Sequence, residues 1–358
     1  MTDCVLLTGA SGLVGSTWLP LVLKNHLERR VTILSRSPEL GNPARNISTI
    51  HGDLTQRDLG LAPETKRALV QNVTGIIHCA ADIRFRLPID QARATNTAGT
   101  RRLLALARKC KRLEKFAYVS TVYVAGKHRG IVREEQLARP PGFMNAYQQS
   151  KHEAEELVFE AMRDIPASIF RLSSIISDSA GAVRQFNYFH QLLRMVPRNP
   201  FPIIPGDPDA AIDLIASDWA VSALALLYES HFVPGRVYHV CAGRKASMTV
   251  QEILRWTFDI FNEGRPKPAM QPRLVSLDQF ERFAIQQTRK GNAPVRELLR
   301  VLREFLPHLA IPQHYDNRET LAVLRRAGLE LPPIREYYPR VVASCLRGRA
   351  HERPDHAT

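Results

Sequence analysis

The stretch Thr8-Gly9-Ala10-Ser11-Gly12-Leu13-Val14-Gly15 decides how this chain folds. A short apolar run, Cys4–Leu7, precedes it, and a helical pattern, Leu13–Leu27, follows it. A glycine turn between a strand and a helix is the setting in which backbone approaches a dinucleotide pyrophosphate. Gly9 permits the tight turn, Gly12 lets the backbone come close, and Gly15 lets the helix pack on the sheet. The helix N-terminus adds free N–H groups and a positive dipole end. Thr8, Ser11 and Leu13 complete the expected cofactor-binding turn.

Outward from this turn, short β-rich runs alternate with longer helical patterns up to about residue 240, which argues βαβ units and a parallel sheet. The strands are expected at Cys4–Leu7, Val31–Ser35, Ser48–His51, Gly75–Cys79, Phe116–Ser120, Ala167–Leu172 and Val237–Cys241. The clearest helices are Leu13–Leu27, Ile89–Cys110 and Asn145–Arg163. Beyond Cys241 the pattern is mostly helical, and residues 347–358 read as a frayed tail. The fold class expected is α/β, a doubly wound parallel sheet. Residues 1–240 form the nucleotide-binding domain, with part of the substrate pocket in 172–235, and 241–346 a smaller, mostly helical substrate-binding region.

With 358 residues, 44% hydrophobic and 23% charged, the chain can bury a sizeable core without staples. Its five cysteines are scattered and form no CxxC pair, so neither a disulfide framework nor a structural zinc site is expected. An acid near the N-terminus and the absence of a long apolar run point to a cytoplasmic chain with neither signal peptide nor membrane span. The net charge is +14, and residues 241–358 hold 20 basic against 13 acidic side chains. This surplus suits a solvated surface or an acidic partner. Nucleic acid is not expected, because the bases are diffuse and no nucleic-acid motif accompanies them. No amphipathic segment supports a peripheral membrane contact.

The end of the second strand carries Leu34-Ser35-Arg36-Ser37 where an NAD site wants an acid. A guanidinium and two hydroxyls suit a 2′-phosphate instead, so NADP(H) is expected, with Arg36 as its anchor. Gly52-Asp53-Leu54 offers a carboxylate to the adenine amino group. Tyr147 and Lys151, four residues apart on a helix, share one face. An ammonium beside a phenol favours the phenolate, so Lys151 is expected to lower the Tyr147 pKa from about 10. A tyrosine so tuned can protonate an oxygen that gains charge on hydride attack. Tyr123 and Lys127 repeat the spacing, but a strand ends just before them and Gly126 lies between, so helical geometry is not expected there. Ser120-Thr121 closes the fifth strand, at the edge where parallel sheets bind ligands, and a hydroxyl there can donate to the same oxygen.

Together with Ala80-Ala81 and Asn96-Thr97-Ala98-Gly99-Thr100, these residues resemble an extended short-chain dehydrogenase/reductase. His78 to Phe85, Val119 to Gly126, Pro205 to Asp209 with Asp213-Leu214 and Asp218-Trp219, and Phe305 to Leu309 with Tyr315 to Asn317 are similar to its fatty acyl-CoA reductase and thioester reductase branch, the male-sterility type. The resemblance implies a Rossmann-type fold and Thr121, Tyr147 and Lys151 as catalytic trio. It implies a cofactor site of Thr8, Gly9, Ser11, Gly12, Leu13, Gly15, Arg36, Asp53, Leu54, Ala80 and Ala81, shared with Tyr147 and Lys151. The implied activity is NADPH-dependent reduction of an acyl thioester, on coenzyme A or an acyl carrier protein arriving in trans, to an aldehyde, with a second reduction to the alcohol left open. A short-chain reductase or dehydrogenase of a ketone, aldehyde, steroid-like alcohol or nucleotide sugar, and a non-catalytic NADP-binding sensor, stay open as alternatives.

Overall fold

Strands that are apolar at every position, rather than at alternate ones, need cover on both faces, and a parallel sheet between two helical layers gives it. Val5, Leu6 and Leu7 are such a run, each fully buried. The computed structural model describes residues 3–25, 28–37, 45–195, 197, 201–291, 293, 295–296, 299–300 and 309–347. The chain runs β1 (Cys4–Thr8), α1 (Leu13–Asn25), β2 (Arg30–Ser35), β3 (Ile47–His51), α2 (Pro63–Asn72), β4 (Gly75–His78), α3 (Ile89–Ala107) and β5 (Lys115–Thr121). It continues through β6 (Gly130–Val132), α4 (Ala146–Ala161), β7 (Ala167–Leu172), β8 (Ser174–Ser177), α5 (Tyr188–Met195), β9 (Ile203–Pro205), β10 (Ala211–Ile212), β11 (Leu214–Ala216), α6 (Ser217–Ser230) and β12 (Val237–Val240). The later described elements are β13 (Met248–Thr249), α7 (Val250–Asn262), β14 (Arg273–Val275), α8 (Leu277–Lys290), β15 (Gln313–Tyr315), α9 (Arg318–Arg326) and α10 (Ile334–Arg347).

Seven strands form one parallel sheet in the order β12-β7-β5-β4-β1-β2-β3. This is the doubly wound Rossmann order, and the direction of winding reverses between β1 and β4. In sheets of this order ligands bind outside the carboxyl ends of the strands at the switch point. One core layer packs α1 and α6 on the sheet, where Trp18 meets Tyr228 edge to face at 6.4 Å. The other layer packs α2, α3 and α4 against the opposite face.

The segment after β12 returns repeatedly to earlier parts of the chain. β13 pairs with β10, β14 with β9 and β15 with β6, and α10 packs on α5 and α7. Gln313 Nε2 donates to the Gly126 and His128 carbonyls, both at 2.7 Å, and so ties the last strand to the loop after β5. Of the motif Phe305 to Leu309, all but Leu309 lie outside the described residues, as do 348–358 of the expected tail and the end of the first expected helix at Leu27. Among the described residues no helix is long and apolar enough to cross a membrane.

Candidate active site

The glycine turn follows directly from β1. Gly9 has φ +76°, a conformation that L side chains rarely adopt, and a Cβ there would lie 2.5 Å from the Ala80 nitrogen. The two loops that follow β1 and β4 are thus pressed together, and Gly12 N–H donates to the Gly9 carbonyl at 3.1 Å. Ser11 and Gly12 are exposed at the mouth of α1, whose first turn carries no acidic side chain. A buried chain of bonds fixes the floor. Thr100 donates to the Asn96 carbonyl at 2.6 Å, so its oxygen accepts from His78 Nε2, leaving Nδ1 to accept from Thr8 at 2.7 Å. Burial holds the His78 pKa down at about 3, which keeps the ring neutral for these roles.

Along the same edge, Arg36 stands exposed at the end of β2 and Asp53 half-buried beyond β3. Asp53 accepts from Thr55 N–H and hydroxyl, both at 2.8 Å. Against the effect of burial, these bonds and the positive charge of Arg36 lower its pKa. Ala80 and Ala81 lie half-buried past β4. Leu54 belongs to the hydrophobic core, 6% exposed and packed at Gly99, and its carbonyl accepts from Arg102 at 2.9 Å. A glycine turn with no room for a Cβ, an acid-free helix start and an exposed guanidinium fit a nicotinamide dinucleotide.

Thr121, Tyr147 and Lys151 meet at the end of β5. Asn145 caps α4 by accepting from Gln148 N–H at 3.0 Å, which starts the helix so that Tyr147 and Lys151 share a face. The Thr121 side chain lies close enough to the Tyr147 phenol to pull its pKa down. Lys151 is buried, its Nζ donating to the Val119 carbonyl at 2.8 Å and standing 4.0 Å from the Tyr118 ring centroid. Burial pulls its pKa down to about 7, with Glu155 opposing. The expected lowering of the phenol is corrected here. Burial pushes Tyr147 up to about 12, with only Thr121 pulling the other way. Lys151 is turned to the Val119 carbonyl, and the phenol is shifted by burial and by Tyr188 against Thr121.

Ser120, the other hydroxyl expected to serve the site, is turned inward by strand alternation and donates to Glu155 at 2.5 Å. Sequence reasoning passed over Tyr123 because its spacing to Lys127 is not helical, and the chain there is indeed a 3₁₀ turn, Val122–Ala125. Its hydroxyl nonetheless contacts those of Ser174, at 2.7 Å, and Tyr188. Phe85 stacks on Tyr147 at 5.8 Å and reaches Tyr188 at 5.0 Å. Tyr123, Ser174, Tyr188 and Phe85 thus wall the space beside the phenol. Phe85 and Tyr123 fall within the stretches His78 to Phe85 and Val119 to Gly126, but only the fold brings the four segments together. Phe189 and His190, next to Tyr188 in sequence, are core: His190 is fully buried and bonds the Ile176 carbonyl at 2.6 Å.

The male sterility protein family, whose model describes an NAD-binding domain, matches residues 38–224, a span that holds Asp53, Thr121, Tyr147 and Lys151. A Drosophila melanogaster protein named as a fatty acyl-CoA reductase is 24% identical over 273 residues, 61% of this chain and 50% of its own length. Fatty acyl-CoA reductase 1 of Xenopus laevis is 30% identical over 161 residues, 38% of this chain and 31% of its own. The chain therefore spans about half the length of the first and a third of the second. Among solved structures, the terminal R domain from the myxalamid PKS-NRPS biosynthetic pathway superposes with a TM-score of 0.78 at 26% identity, covering 97% of this chain and 91% of that one.

Proposed function

The chain belongs to the male sterility protein family of NAD-binding domains, and from that premise we propose that it reduces acyl thioesters to aldehydes with NADPH. The observation that supports the reading is that Lys151, one helical turn after Tyr147, donates to the Val119 carbonyl of β5, whose last residue Thr121 lies by the Tyr147 phenol, in a sheet of doubly wound order. The reductase names of the relatives supply the substrate class.

The nicotinamide cofactor, when bound, supplies a hydride to the thioester carbonyl carbon. The turn Thr8 to Gly15, with Ser11 and Leu13 at the start of α1, would hold its pyrophosphate, Asp53 and the Leu54 backbone its adenine side, Arg36 its 2′-phosphate, and Ala80 and Ala81 the wall opposite. Thr121 and Tyr147 hold the carbonyl oxygen, and the Tyr147 phenol gives that oxygen its proton. A phenol held up at about 12 keeps that proton at neutral pH until the oxygen becomes the stronger base. Lys151 sets a positive charge beside the phenolate that results. The hemithioacetal collapses to the aldehyde as the proton returns through Tyr147 to the departing thiol. Phe85, Tyr123, Ser174 and Tyr188 hold the acyl group next to the thioester. The acyl donor, coenzyme A or a carrier protein, is acidic, which the basic surplus of residues 241–358 would favour. We divide the chain in the same way: 1–240 for the cofactor, 172–235 and 241–346 for the substrate.

The test is NADPH oxidation with a long-chain acyl-CoA beside ketone and aldehyde panels, with free thiol titrated in parallel. Thiol released in step with NADPH consumption supports the reading. Turnover of ketones alone, with no thiol, overturns it.

A further inference from the structure

Beneath the trio lies a buried ion pair that the reaction as described does not use. Glu155 on α4 is 3% exposed and Arg171 on β7 is fully buried. Arg171 donates to the carboxylate through Nη2 at 2.7 Å and Nε at 3.0 Å, and Ser120 donates to the same carboxylate. Arg171 Nη1 continues to His239 Nε2 on β12 at 3.2 Å and to the Arg133 carbonyl at 3.3 Å. A buried pair gains little stability over apolar side chains of equal volume, because removing both charges from water costs so much. Its position supplies another reason for it. Ser120 directly precedes Thr121, and Glu155 is one helical turn beyond Lys151 on the same face.

The groups that face Lys151 divide clearly. On β4, His78 stays neutral, and burial pushes the neighbouring Cys79 thiol up to about 12. On β5, burial holds the Tyr118 phenol protonated. From its own helix comes Glu155, which, ahead of Cys79, holds the Lys151 pKa up against burial. Glu155 itself is faced by Arg171 on β7 and by Ser120 and Tyr118 on β5.

We propose that Glu155 is a positioning residue: clamped by Arg171 and Ser120, it fixes the end of β5 and supplies the charge that keeps Lys151 an ammonium beside Tyr147. Removing that charge takes away the larger influence set against burial, so Lys151 loses its proton at lower pH. Only the kinetic arm of the test rests on the thioester-reductase reading.

Glu155→Gln is the direct variant, but it strands a buried guanidinium. Glu155→Gln/Arg171→Met removes both charges and keeps a foldable interior, and Glu155→Asp is the conservative rescue. Lys151 is titrated in the unliganded protein by NMR of Cε-labelled lysine, assigned with Lys151→Arg, and the alkaline limb of kcat/KM is recorded for acyl-CoA. The expected result is a Lys151 titration and an alkaline limb both displaced to lower pH by about one unit in Glu155→Gln and by less in the double variant, which also loses the Arg171 charge, with recovery in Glu155→Asp. A folded Glu155→Gln, or where it does not fold a folded double variant, whose Lys151 titrates as in the parent overturns the proposal. If the parent shows no thioester turnover, the function reading fails, and the NMR titration still decides the role of Glu155.

Discussion

Gly12→Ala and Gly9→Ala, side by side, separate what the glycine turn does for the fold from what it does for a ligand. At Gly12 a new Cβ meets only the Gly9 carbonyl at 3.4 Å, the near edge of ordinary contact, and the backbone there has no positive φ. An alanine at the exposed start of α1 also lowers the entropy of the unfolded chain, worth up to about 1 kcal/mol. Gly12→Ala is therefore expected to unfold in denaturant at or slightly above the parent midpoint. The methyl nevertheless occupies the approach to the α1 N-terminus, so NADPH affinity should fall at least about tenfold, or roughly 1.4 kcal/mol. At Gly9 the balance reverses. A φ of +76° costs alanine about 1–2 kcal/mol, and a Cβ 2.5 Å from the Ala80 nitrogen forces the loop after β4 to move. Gly9→Ala should lose both stability and binding. Denaturant unfolding and NADPH fluorescence titration read the two quantities independently. Full NADPH affinity in Gly12→Ala would refute the placement of the pyrophosphate, and parental stability in Gly9→Ala would refute the packing of the two loops.

Further outcomes follow from the same geometry. Tyr147→Phe should lower kcat by about 10²–10⁴ while leaving the Kd for NADPH within about twofold, because the hydroxyl acts in the chemical step; an equal loss of binding would remove that role. Arg36→Ala should weaken NADPH and leave NADH nearly unchanged, and an unaltered preference between them would take Arg36 out of the site. His78 and His239 are both held down at about 3 by burial, against about 6.5 in the unfolded chain. The unfolded state therefore binds protons that the folded state refuses, and stability present at pH 7 is lost as pH falls below 6.5. The loss should be about 2 kcal/mol for each ring between pH 7 and pH 5, which urea unfolding at the two pH values measures; equal midpoints would contradict it.

The seven long strands were legible because parallel strands covered on both faces announce themselves as continuous apolar runs bounded by turns. β4 ends one residue before its expected limit and β5 runs one residue past each of its own. The short strands outside that sheet, such as β6 and β10, were not legible. Each exists only through a partner far along the chain, as Gly130–Val132 does through Gln313–Tyr315, and two or three residues carry no period. At the site, spacing found Tyr147 and Lys151 but gave the wrong sign for the phenol. Spacing reports which side chains share a face, and not how much water surrounds them. Tyr123 escaped for a related reason, since its partners Ser174 and Tyr188 lie outside any local pattern. Glu155 stood one turn past Lys151, yet its role emerged only with the buried guanidinium of Arg171 against it.

The most direct test of thioester reduction is isotope transfer. NADPH carrying deuterium at the transferable C4 position is incubated with a long-chain acyl-CoA, and the aldehyde is trapped for mass spectrometry. One deuterium at the aldehyde carbon, with one equivalent of coenzyme A thiol released and both lost in Tyr147→Phe, is the result expected. An unlabelled aldehyde, or thiol released without any aldehyde, would contradict it.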